Sequence, residues 1–82
     1  MNHPMMAKTP RLSILIIDDD PLTRQLLRAA LEPIGCQILE ARDAGQGLSL
    51  ALKYRPNLII LDIVLPDTDG LQLLYQFRHL SR

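Results

Sequence analysis

The sequence predicts an α/β fold built on a parallel sheet, and three observations lead to it. The aliphatic run Ile14–Ile17 is apolar at every position and ends on Asp18, Asp19 and Asp20. A second run, Leu58–Leu61, ends in the same way on Asp62. Between and after these runs, apolar residues recur at helical spacing. A strand that is apolar on both faces belongs inside a parallel sheet, with helices above and below it.

The elements follow in order. The first strand is Ser13–Ile17. Asp20 suits an N-cap and Pro21 the first helical position, where a missing N–H costs nothing. Leu22, Leu26, Leu27, Ala30, Leu31 and Ile34 then give an apolar face to a helix running from Pro21 to Ile34. Gly35 suits the left-handed residue that ends it. Cys36–Glu40 reads as a second strand. Asp43 and Gln46 have capping-box spacing for a second helix, with Leu48, Ala51, Leu52 and Tyr54 turned inward wholly or in part. Gly45 and Gly47 weaken that helix by about 1 kcal/mol each relative to Ala, and Pro56 stops it. The third strand is Asn57–Leu61. A loop with Pro66 and the turn Asp67-Thr68-Asp69-Gly70 leads to a third helix from Gly70, with Leu71, Leu74, Phe77 and Leu80 at apolar spacing. This β-α-β-α-β-α order demands parallel strands.

Composition narrows the function. The chain has 82 residues, room for one domain of thin stability, with residues 1–11 as a flexible leader and 12–82 as the domain. Lysine plus arginine and aspartate plus glutamate both number 9, for a net charge of zero. That balance argues against nucleic acid as a partner. No apolar run is long enough for a membrane span. Cys36 is alone, so no internal disulfide forms, and a reducing, cytoplasmic setting fits.

The chemistry lies in the acids. Six of the 9 acidic residues follow the first or third strand: Asp18, Asp19, Asp20, Asp62, Asp67 and Asp69. Ligands in open α/β sheets sit beyond the carboxyl ends of strands. If the first and third strands are neighbours, Asp18, Asp19 and Asp62 share one pocket. Their mutual repulsion is relieved by a hard divalent cation, and Mg²⁺ suits a few carboxylates and retained waters. A rigidly aimed strand-end carboxylate is also a nucleophile toward phosphorus.

At this point "ILIIDDDPLTRQLL" and "LIILDIVLPDTDGLQLL" resemble the first and third strand regions of response-regulator receiver domains. "ARDAGQGLSLALKYRPN" is similar to the second helix of that family. The resemblance runs from Leu12 to the end of the sequence. It implies a three-layer, flavodoxin-like parallel sheet, here a partial (β-α)3 with strand order 2-1-3, and a role in phosphorelay signalling. Asp62 would be the phosphoacceptor. Asp18, Asp19, Asp62 and the backbone carbonyl of Val64 would hold Mg²⁺. Asp20 matches no family ligand and reads as a helix cap, while Pro66 and Gly70 shape the loop. A histidine kinase or phosphotransfer protein would be the partner, and no catalytic turnover of its own is expected.

The same resemblance implies strands four and five, with a Ser or Thr and a Lys that contact the phosphoryl group. The sequence stops after the third unit, so it reads as a truncated receiver domain. Lys8, Lys53, Thr9, Thr23, Thr68 and Ser81 all stand in the wrong segments. Phosphotransfer is therefore expected to be impaired. Strand three becomes an edge, and self-association through it is the alternative role, that of an interaction module working without phosphorylation.

Other features have plainer readings. Asp67 and Asp69 are turn formers capping the third helix. His3 and His79 are surface residues, Cys36 a small core residue, and Lys53 and Arg55 a solvated face. "DTDG" fails as a calcium loop, because Leu65 and Gln76 occupy its end positions. "DDDPL" has the acid spacing of haloacid-dehalogenase-type phosphatases but carries Leu22 where they need Thr or Val. "GQG" lacks the strand and third glycine of a dinucleotide site.

Overall fold

A computed structural model of the protein describes residues 11–80, so the expectations for residues 1–10 and for Ser81 lie outside the described residues. Its elements are β1 (Ser13–Ile17), α1 (Pro21–Leu31), β2 (Gln37–Ala41), α2 (Ala44–Tyr54), β3 (Leu58–Leu61) and α3 (Gly70–Leu80). The strands form one parallel sheet in the order β2-β1-β3, the expected arrangement.

All five residues of β1 are buried, as befits the central strand. Its side chains alternate between two cores. Leu15 and Ile17 pack with Ala41, Ala44, Leu65 and Leu73 under α2 and α3. Ile14 and Ile16 pack with Cys36, Leu27, Leu31, Ile38 and Ile60 under α1. The register matches this alternation, with Leu15 opposite Leu39 and Ile59, and Ile16 opposite Glu40 and Ile60. A slip by one residue would turn each apolar set to the wrong face. Asn57 precedes β3 and helps fix its register: its side-chain oxygen accepts the Ser13 N–H at 2.8 Å, and its own N–H donates to the Ser13 carbonyl at 2.8 Å.

Several boundaries differ from the sequence reading. The first helix is α-helical only to Leu31, and Glu32–Ile34 form a 3₁₀ turn. Pro33 has no N–H to continue the α-helical ladder, so the chain tightens into the 3₁₀ turn and leaves through Gly35 at φ 80°. β2 begins at Gln37 and reaches Ala41, one residue later than expected, and β3 begins at Leu58. Arg11, assigned to the leader, donates to the carbonyls of Gly35 and Cys36.

The helical faces also differ. Leu22 and Leu26 of α1 are 60% and 64% exposed, because α1 alone covers its side of the sheet among the described residues. Leu52 and Tyr54 of α2 are exposed too. In α3 the inward residue is Leu73, fully buried with Phe77 beside it, while Leu71 and Leu74 face out. Of the expected set, Phe77 packs against the core, and Leu73, outside that spacing, fills the buried position. The side chain of Leu80 lies outside the described set.

Gly47 is required by packing. A Cβ there would meet the Cδ1 of buried Ile17 at 2.6 Å. Gly45 has no such neighbour, since its nearest contacts would be at 3.7 Å.

Candidate functional site

The acidic residues gather where β1 and β3 end. Asp18 donates its N–H to the Ala41 carbonyl at 3.0 Å, and Asp62 donates its N–H to the Ile17 carbonyl at 2.9 Å. Each acid is therefore the first residue past its strand, still tied to the sheet. Because β1 and β3 are neighbours, carboxylate oxygens of Asp18, Asp19 and Asp62 all lie within 4.8 Å of one another. Asp18 and Asp62 are half-buried, and Asp19 is exposed. The sequence reading placed these three together, and the structure does bring them together.

Local bonds hold Asp18 and Asp62. A side-chain oxygen of Asp18 accepts the Asp20 N–H at 2.9 Å. A side-chain oxygen of Asp62 accepts the Val64 N–H at 3.2 Å. Asp20 caps α1, as expected: it accepts the Leu22 N–H at 3.1 Å and the Thr23 hydroxyl at 2.8 Å. These bonds, the Thr23 hydroxyl first, hold its carboxyl below the usual aspartate range.

The loop after β3 closes on itself. Val64 bridges Asp69 in antiparallel fashion, and the Gly70 N–H donates to the Ile63 carbonyl. A Cβ on Gly70 would lie 2.6 Å from the Ile63 Cα, so only glycine allows this closure. Asp69 caps α3 through the Gln72 N–H at 2.7 Å. Asp67 does not cap α3 as the sequence suggested. Its two oxygens accept the N–H groups of Ala44 and Gly45, at 2.9 and 3.0 Å, so it caps α2 from the loop after β3. Asp43 caps the same helix through the Gln46 N–H at 2.8 Å, while the Gln46 side chain reaches past Asp43 to the Arg42 N–H. The expected capping box is thus stretched by one residue.

Sequence reasoning missed Arg24. Its guanidinium donates to the Asp18 carbonyl at 2.6 Å and pairs with Glu40 at 3.1 Å. Glu40 also pairs with Arg28 at 2.6 Å. The Arg28 contact, with Arg24 second, holds the Glu40 carboxyl below its ordinary range. The four-residue spacing of Arg24 and Arg28 was the available signal.

The donor set of Asp18, Asp19 and Asp62 is all oxygen and doubly half-buried. Hard oxygen donors this close fit Mg²⁺ and offer no soft ligand for a thiophilic metal.

Comparison with known proteins agrees with this architecture. The model of the response regulator receiver domain matches residues 14–82. The KDP operon transcriptional regulatory protein KdpE of Escherichia coli K12 is 41% identical over 69 residues, which are 84% of this chain and 31% of KdpE. A CheY-like receiver domain protein from Methanospirillum hungatei superposes with a TM-score of 0.83 at 35% identity, covering 87% of this chain and 57% of that one. The Thermotoga maritima response regulator TrrA, solved in complex with Mg(2+)-BeF, superposes at 0.80 with 32% identity, over 84% of this chain and 60% of that one. In each case the chain spans less than two thirds of the protein that it matches. With the family's strand order, its acid-ended strands and its sequence signature all present, the chain belongs to the response regulator receiver domain family.

Proposed function

We propose that the chain accepts a phosphoryl group on Asp62 from a histidine kinase or phosphotransfer protein, as a signalling module and not as an enzyme with turnover. The observation that carries this reading is the convergence of Asp18, Asp19 and Asp62 within 4.8 Å at the ends of neighbouring strands. Asp18, Asp19 and Asp62, with the Val64 carbonyl, are the ligands we assign to Mg²⁺. Bound there, the ion would offset negative charge on the incoming phosphoryl oxygens. In the step itself, an Asp62 oxygen forms the new bond to phosphorus as the donor's P–N bond breaks. The donor imidazole leaves with that electron pair and regains a proton. The bond from the Val64 N–H holds the Asp62 carboxylate in one orientation for attack.

The chain's lysines are Lys8 and Lys53, and Lys53 lies in the last turn of α2, at the far end of that helix from the pocket. We therefore expect slow transfer by these 82 residues alone. No helix among the described residues is long and apolar enough to cross a membrane.

The test is phosphoryl incorporation from a small phosphodonor with Mg²⁺, read by intact mass. Wild type should gain one phosphoryl group and Asp62→Asn none. Equal incorporation by both would overturn the assignment.

One observation favours a second role. The outer edge of β3 has no partner strand among the described residues, and Leu58 on that strand and Ile63 and Val64 just after it are exposed. Such an edge pairs readily with another chain. Pairing of this kind would survive Asp62→Asn, and a constant monomer mass across concentration in light scattering would exclude self-association.

A further inference from the structure

We infer that Arg24 is a positioning residue for the acidic pocket, aiming Asp18 and Asp19 at a common point. The inference rests on the reading of the pocket as a Mg²⁺ site. Side chains of adjacent residues in an extended strand leave on opposite faces. Asp18 and Asp19 nevertheless bring oxygens within 4.8 Å of each other and of Asp62. Both residues lie past the end of β1, and the chain bends at Asp19. The peptide joining them is planar, so the Asp18 carbonyl and the Asp19 N–H move together. Whatever holds the carbonyl oxygen sets the directions of both side chains.

Arg24 holds it. Its Nη1 donates to the Asp18 oxygen at 2.6 Å, and its Nε donates to the Glu40 carboxylate at 3.1 Å. The rigid guanidinium fork thus spans from the end of β1 to β2. The second Glu40 oxygen accepts from Arg28 Nε at 2.6 Å. The Arg24 side chain is 18% exposed, so water competes little for these bonds. α1 delivers the guanidinium to this place through its own first turn, in which the Arg24 N–H donates to the Asp20 carbonyl at 3.1 Å.

A positive charge near the pocket has a second effect of opposite sign, since it repels a cation. The two effects separate experimentally. If charge alone matters, Arg24→Met tightens Mg²⁺ binding and Arg24→Lys leaves it unchanged. If Arg24 positions the acids, both variants weaken binding, because lysine cannot bridge Glu40 and the Asp18 carbonyl with one planar fork. Groups that orient metal ligands are typically worth about tenfold or more in affinity.

The experiment titrates Mg²⁺ into the full chain by calorimetry, with far-UV circular dichroism on each variant to establish folding. Arg28→Met is the comparison, because it loosens Glu40 while leaving the Asp18 contact in place. Support is a loss of about tenfold in both Arg24 variants with Arg28→Met at the wild-type affinity. Wild-type or tighter binding by the Arg24 variants overturns the inference, as does an equal loss in Arg28→Met, which would mark a merely structural role. Should Arg24→Met not fold, Arg24→Lys alone decides by the same criteria. If wild type binds no Mg²⁺, the reading of the pocket falls first and this inference with it.

Discussion

Asp67 accepts two N–H bonds from the start of α2, and Glu40 accepts from Arg28 and Arg24 on α1. Both carboxyls titrate below their ordinary values, 3.8 for Asp67 and 4.5 for Glu40, because those donors favour the charged form. A carboxyl whose folded pKa is depressed stabilises the fold above its unfolded pKa. It loses that contribution as pH falls through the folded value. Stability should therefore decline from about the ordinary carboxylate range downward. The difference between wild type and Glu40→Gln, measured by urea denaturation, should be full at neutral pH and vanish in acid. A difference independent of pH would show that the pairing of Glu40 contributes nothing.

Glycine acts differently along one helix, α2. Gly45→Ala adds a methyl at ordinary van der Waals distance, 3.7 Å, from Asp43 and Asp67 and removes backbone freedom, so it should stabilise by about 0.5 kcal/mol. Gly47→Ala drives a methyl against buried Ile17 and should destabilise by about 1–3 kcal/mol through overpacking. Opposite shifts in the urea midpoint test both statements. In α3, Leu73→Ala should cost about 2–5 kcal/mol, while Leu71→Ala should cost far less, because only Leu73 is buried. Equal costs would mean that α3 packs on its other face.

For the whole molecule, a ligand that binds only the folded state raises its stability by mass action, by about 2.7 kcal/mol at one hundred times its Kd. Millimolar Mg²⁺ should therefore move a cooperative thermal melt upward, and Asp19→Asn should remove most of that shift. A cooperative melt indifferent to Mg²⁺ would separate folding from ion binding. One side of the sheet carries α2 and α3, and the other carries α1 alone among the described residues. The exposed Leu22 and Leu26 follow from that asymmetry.

The sequence by itself determined the kinds of elements and their order. Uninterrupted aliphatic runs make buried strands, Asp20-Pro21 and Asp43 start helices, Pro56 follows the end of α2, and Gly35 closes the 3₁₀ turn after α1. These are interactions between residues a few positions apart, so they can be read from the chain directly. The placement of an acid at each strand end was legible for the same reason. The tertiary structure decided what depends on distant residues meeting. The β2-β1-β3 order sets Asp62 beside Asp18 and Asp19. Loop closure sends Asp67 to α2. Contact with Ile17 makes Gly47 necessary, and the end of β1 takes its partner from Arg24. In α3 the spacing of Leu71, Leu74 and Phe77 named one face, and packing against the sheet buries Leu73 instead, because apolar area is gained only where the helix meets the core.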